Sequence, residues 1–143
     1  MTRAGTILSI ILNGINRRVG RVIDSHLVSQ NAKDYMEYIQ SSRGEFSVAK
    51  NVYVATRSGW FSCRPICYMA AGRSMVVQDT GFSKFILTGD GVIAFTNLDE
   101  AINGIEKVEK NYEHHCERAP DALLHVQPTV SDTNSAVPLV KGI

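Results

Sequence analysis

Between Phe46 and Cys116 the chain alternates two kinds of segment, and that alternation restricts its fold more than any other feature. Ser74–Gln78 and Val92–Phe95 are short, mostly apolar runs, the pattern of strands buried on both faces of a parallel sheet. Around them lie stretches whose apolar residues recur at helical spacing. Parallel strands cannot be joined by tight turns and need crossovers, which helices supply. The ordering therefore predicts an α/β domain, Rossmann-like, of three layers with a mostly parallel sheet.

A helix is expected from about Ala32 to Ser41, with Asn31 as N-cap, Asp34 three residues on, and Ala32, Tyr35, Met36 and Ile39 as its apolar stripe. Phe46, Val48, Val52 and Val54 favour extended structure, giving one strand near Glu45 to Ala49 and a second near Val52 to Ala55. A helix follows from about Trp60 to Ala71. Pro65 fits only its first turn, so the helix proper is expected to begin near Cys63 or Arg64, and Gly72 to end it. Asn97 and Glu100 read as a capping box for a long helix with Ala101, Ile102, Ile105, Val108, Tyr112 and Cys116 along one face. Thr6–Leu12 suits a strand or a helix start, and Arg21–Asp24 a short strand. The chain divides into a partial strand region (1–30), the α/β region (31–119) and a poorly ordered tail (120–143), where Pro, Thr, Ser, Asp and Asn mix.

A chain of 143 residues suits one ordinary domain. The net charge of +1 and a pI near 7.8 provide no basic stripe, which argues against nucleic acid or an anionic membrane as partner. No apolar run is long enough to span a bilayer. Three cysteines, Cys63, Cys67 and Cys116, lack the spacing of a disulfide scaffold; they read as free, buried thiols in a reducing, cytoplasmic setting. With His114 and His115 they do not make a metal motif, and no P-loop, nucleophile elbow or Asp-x-Asp pair is present.

The blocks Gly44–Val54, Arg57–Arg64 and Tyr68–Phe82, followed by Gly89–Phe95 and Asn97–Ala101, are similar to a stretch of bacterial glycosyltransferase-like proteins of the family 1/family 4-like group with the GT-B fold. The likeness covers roughly residues 30 to 118. It implies the C-terminal half of a two-domain enzyme, holding a nucleoside-diphosphate sugar as donor substrate, with no other cofactor and no metal. It also implies an N-terminal acceptor domain and opening strands that should precede a segment like residues 5–40. On this expectation the chain is an incomplete copy, glycosyltransferase-like only when a partner supplies the acceptor half. Uncovered apolar faces would then favour self-association. Many relatives carry one glutamate at the start of the donor helix and another just before its Ala-Met-Ala-x-Gly end. Here those positions hold Gly59 and Cys67, neither a carboxylate. Two other readings stay open: a non-catalytic nucleotide-binding or protein-interaction module, and a fragment of a split gene.

Elementary chemistry places the donor site of such a domain. A helix tip following a parallel strand presents unpaired backbone N–H groups with partial positive charge, suited to a diphosphate. Candidate binding residues are Arg57, Ser58, Gly59, Trp60, Phe61, Ser62 and Arg64 at that tip, with Asp79, Thr80 and Gly81 in the loop expected along the same edge. Each has a plainer reading: Trp60 and Phe61 as core, the arginines, Arg73 included, as solvated surface, and Glu45 with Lys50 as an exposed pair. Both histidines are expected to face water.

Overall fold

The computed structural model describes residues 24–124; the readings of Thr6–Leu12, of residues 21–23 and of the tail beyond Leu124 lie outside them. Strands β1 (Gly44–Ser47), β2 (Ser74–Gln78) and β3 (Val92–Phe95) form a three-stranded sheet in the order β1-β2-β3. Both pairings are parallel, with Gly44 opposite Ser74 and Met75 opposite Val92. This is the small Rossmann-like α/β domain that the alternation of segments calls for.

Side-chain alternation divides the core into two layers. Met75 and Val77 of β2 and Val92 of β3 face one cluster with Ile39, Tyr68, Met69, Phe82, Ile86 and Ala122. Val76 of β2 and Ile93 and Phe95 of β3 face the other, with Ala101 and Val108. Helices α1 (Ser25–Val28), α2 (Ala32–Ser41), α3 (Asn51–Ala55) and α4 (Cys63–Ala70) lie between or before β1 and β2. Helices α5 (Leu98–Lys110), α6 (Tyr112–Arg118) and α7 (Asp121–Leu124) follow β3.

Local chemistry sets these boundaries. Asn31 Oδ1 accepts from the Asp34 N–H at 2.9 Å and starts α2. The hydroxyl of Ser62 accepts from Arg64 N–H at the head of α4, and Pro65 is buried in the first turn. At its other end Gly72, with φ +64°, lets the Arg73 N–H reach Tyr68 O at 2.9 Å and its own N–H reach Met69 O at 3.0 Å, a Schellman closure. Gly44 lies so close to β2 that a Cβ would sit 2.6 Å from Ser74 O.

Several elements differ from the sequence reading. Val52–Ala55 belongs to helix α3, not to a strand. Val52 is 58% exposed there, and a β-branched side chain favours a strand only when it packs on a pleated, half-buried surface. The long helix breaks at Asn111, whose φ of −133° leaves the helical region. After this break the residue taken into the core is His115, 1% exposed, while Cys116 is half-buried. Cys63 and Cys67 are exposed, and all three thiols are free. The Asn97 cap accepts from Glu100 N–H, but Glu100 reaches back to the N–H and hydroxyl of Thr96, both at 2.7 Å. The region assigned to the tail opens with α7, whose Ala122 is buried against α4.

The turn before β3 tests this packing. Gly91 has φ +78°, and a Cβ there would lie 2.4 Å from the Ala119 nitrogen. Left-handed strain and overpacking act together, so Gly91→Ala is expected to cost about 3 kcal/mol or more. Urea denaturation measures it; a cost within ~0.5 kcal/mol, the scale of a surface change, would show that α6 does not rest on this turn.

Candidate functional site

Asp79 follows the last residue of β2 and is the centre of the carboxyl edge of the sheet. Its Oδ1 accepts from the N–H of Gly81 at 2.8 Å and of Ser83 at 3.4 Å; its Oδ2 accepts from the Ser83 hydroxyl at 2.9 Å. The Arg57 guanidinium stands 3.3 Å from the same Oδ2. Burial alone would raise this carboxyl. The Gly81 N–H, the Ser83 hydroxyl and N–H, and Arg57 outweigh burial and hold it below the ordinary aspartate value.

A second set of bonds ties the two loops together. Gly59 N–H donates to Thr80 O at 2.9 Å, and the Thr80 hydroxyl donates to Trp60 O at 2.6 Å. Gly81, at φ +100°, approaches so closely that a Cβ would lie 3.0 Å from Arg57 O. Arg57 itself has φ +51°, the one non-glycine residue in the left-handed region among the described residues. Backbone strain of this kind persists only where neighbours over-determine it. Here the salt bridge and the bonds from residues 59 and 60 do so.

The remaining candidates divide between this edge and the interior. Trp60, 43% exposed, stacks on Tyr53 with ring centroids 4.6 Å apart. The Ser58 hydroxyl accepts from the Trp60 N–H at 3.3 Å. Phe61 is half-buried and packs on Phe82 against the core. Ser62 caps α4. Arg64 turns back along α4 to Glu45, its Nε 2.7 Å from Oε1. The Glu45 side chain is 4% exposed, and burial lifts its carboxyl above the ordinary value against the opposing pull of Arg64. Glu45 is thus the partner of Arg64 and not of Lys50. Arg73 lies at the opposite end of β2, donating to Gln40 O and, at 3.3 Å, to the Tyr112 hydroxyl.

The structure therefore brings Arg57, Ser58, Gly59, Trp60, Asp79, Thr80 and Gly81 to one edge, places Ser62 at the adjoining helix tip, packs the half-buried Phe61 against the core and pairs the exposed Arg64 with Glu45. Sequence reasoning missed Ser83 and Tyr53, and paired Glu45 with Lys50 where the structure pairs it with Arg64. The Gly81 bond has a sequence signal, since an aspartate followed by Thr-Gly is a turn former whose side chain accepts from the backbone two residues on, but Ser83 lies four residues on, beyond that signal. Tyr53 meets Trp60 seven residues on, and Glu45 meets Arg64 nineteen residues on, through tertiary packing that has no signature in the spacing. Among the described residues no group of three or more His, Cys, Asp and Glu could hold a metal ion, and no helix is long and apolar enough to cross a membrane.

The arrangement defines a class: an α/β domain with two clasped loops and one half-exposed arginine at the carboxyl edge of a parallel sheet. No family model matches the chain, and no curated protein and no solved structure matches it.

Trp60 is the sole tryptophan, so its emission reports the clasp. Asp79→Asn removes the charge that holds Arg57 and strands the donors around it, at an expected cost of about 1–3 kcal/mol at neutral pH. Because the folded-state pKa of Asp79 is depressed, that stability is present above the ordinary aspartate range and is lost as pH falls through the folded value. Urea midpoints followed by Trp60 emission at pH 7 and in acid should separate wild type from Asp79→Asn at pH 7 and bring them together in acid. Equal midpoints at pH 7 would remove Asp79 as the keystone of the edge.

Proposed function

We propose that this chain is the nucleotide-sugar-binding part of a glycosyltransferase of the GT-B type. The similarity of its ordered sequence blocks to the family 1/family 4-like group motivates the reading. The observation that carries it is the position of the Arg57–Trp60 loop and the α4 tip beside Asp79–Gly81 at the carboxyl edge of a parallel sheet, where open α/β folds bind ligands. In this reading the donor diphosphate meets the Arg57 guanidinium, and the aromatic shelf of Trp60 on Tyr53 borders the site. The chemistry of transfer is electrostatic: donors aimed at the departing diphosphate stabilise its charge while the other domain presents the acceptor.

One observation favours a second reading, a protein-interaction or nucleotide-sensing module. Arg57 is closed on Asp79, Arg64 on Glu45, and the Ser62 hydroxyl on its own helix, so the polar groups expected to receive phosphate have internal partners. Isothermal titration with UDP-, GDP- and ADP-sugars decides between the two. Donor binding predicts saturable heat at millimolar ligand or below, weakened by salt and by Arg57→Ala. A folded sample that gives no heat with any of the three overturns the donor reading and leaves the second.

A further inference from the structure

The carboxyl edge makes no use of the most deeply buried ionisable ring among the described residues. His115 on α6 is 1% exposed, and its Nδ1 accepts from the Gly91 N–H at 3.0 Å in the turn that leads into β3. An acceptor nitrogen carries no proton, so the imidazole is the neutral tautomer with hydrogen on Nε2. A second proton must go to Nδ1, where it would face the Gly91 N–H head on. The backbone cannot move aside easily: Gly91 is packed so tightly that the Ala119 nitrogen lies 2.4 Å from where its Cβ would be.

We propose that His115 is a proton-sensitive latch, holding α6 and α7 on the Gly89–Gly91 turn when neutral and releasing them when protonated. Charged groups of each neighbouring element act on it. Burial leads in keeping the ring neutral, and Lys107 of α5 and His114 of its own helix act in the same direction; Asp90 of the turn opposes them. Asp90 is itself engaged by Lys107 at 3.7 Å and His114 at 3.6 Å, and Lys107 Nζ donates to Gly89 O at 2.6 Å. The turn therefore has a second fastening from α5 that does not depend on His115. Opening is confined to α6, α7 and the hydrogen bond to Gly91, while the sheet and α5 stay in place. Release of α7 uncovers the face of α4 on which Ala122 packs.

The sign follows from linkage. The folded-state pKa of His115 lies below the ordinary histidine value, so the closed form is favoured above that value and loses its advantage as pH falls from there to the folded pKa. Within this window each opening takes up one proton, and the opening constant grows about tenfold per pH unit.

Native-state amide exchange from pH 8 to pH 5, divided by the intrinsic exchange rates, reads that constant directly. The expected result is an acid-dependent rise at Gly91, Ala119 and Ala122 with no comparable rise in β2 or α5. His115→Gln keeps an acceptor for the Gly91 N–H without a titrating ring, and should flatten the profile. If that variant does not fold, NMR titration of His115 in the wild type decides, with a midpoint below that of free histidine and a Gly91 amide shift that follows it. A flat wild-type profile, an undiminished rise in a folded His115→Gln, or titration at the free value with Gly91 unmoved would each overturn the latch.

Discussion

A carboxylate in a low-dielectric setting must be surrounded by donors, and Asp79 meets that requirement with four of them from three different residues. This one demand shapes the whole carboxyl edge. The loop after β2 has to bend back on itself to present the N–H groups of Gly81 and Ser83, which only a left-handed residue at Gly81 permits. The same bend brings Gly81 against Arg57 O and places Thr80 where its backbone and hydroxyl bind Gly59 and Trp60. Two loops separated by a helix become one unit. The order of the chain fixes which helix that is: α4, running from this edge back to the start of β2.

The sheet beneath follows a different constraint. A strand buried on both faces needs cover from both sides, and β2, between β1 and β3, receives α4 on one face and α5 on the other. β1 pairs with β2 alone among the described residues. Its Phe46 shares an apolar cavity of about 190 Å³ with Val76, Ile105 and Val108, because α5 is centred over the other two strands. The inward carboxylate of Glu45 gives this edge strand a charge on its other face, a feature that discourages indiscriminate strand pairing.

What the sequence made legible tracks how local each determinant is. The ranges of β2, β3 and α2 could be read directly because apolar continuity and a capping asparagine act within a few residues, as does Gly72 at the end of α4. The Val52–Ala55 reading failed because strand propensity describes a surface to pack on, and among the described residues Val52 meets none, being 58% exposed. The helix from Asn97 onward was legible to Val108, and then Asn111 changed which side chain faces inward, exchanging Cys116 for His115. The candidate edge followed the same rule. Its location came from topology, whereas the pairing of Arg64 with Glu45, across nineteen residues, had no signature in spacing.

That pairing bears on which arginine an anionic ligand would engage. Withdrawing Arg64 would leave the buried Glu45 carboxylate without its charge partner, a loss screened below that of a fully buried pair because the Arg64 side chain is itself 56% exposed. Arg57 is in a different position. Both guanidinium side chains are about half exposed, 49% for Arg57 and 56% for Arg64, but Asp79 retains the Gly81 and Ser83 donors when Arg57 turns away. An exchange of Asp79 for phosphate at Arg57 therefore gives up an interaction closer to the surface range of about 0–1 kcal/mol, which a bidentate charged contact can offset. Under the nucleotide-sugar reading the phosphate fork is Arg57, and Arg64 is a structural strut. Under the interaction-module reading the same exposed guanidinium, with Trp60 beside it, is the group a partner meets first.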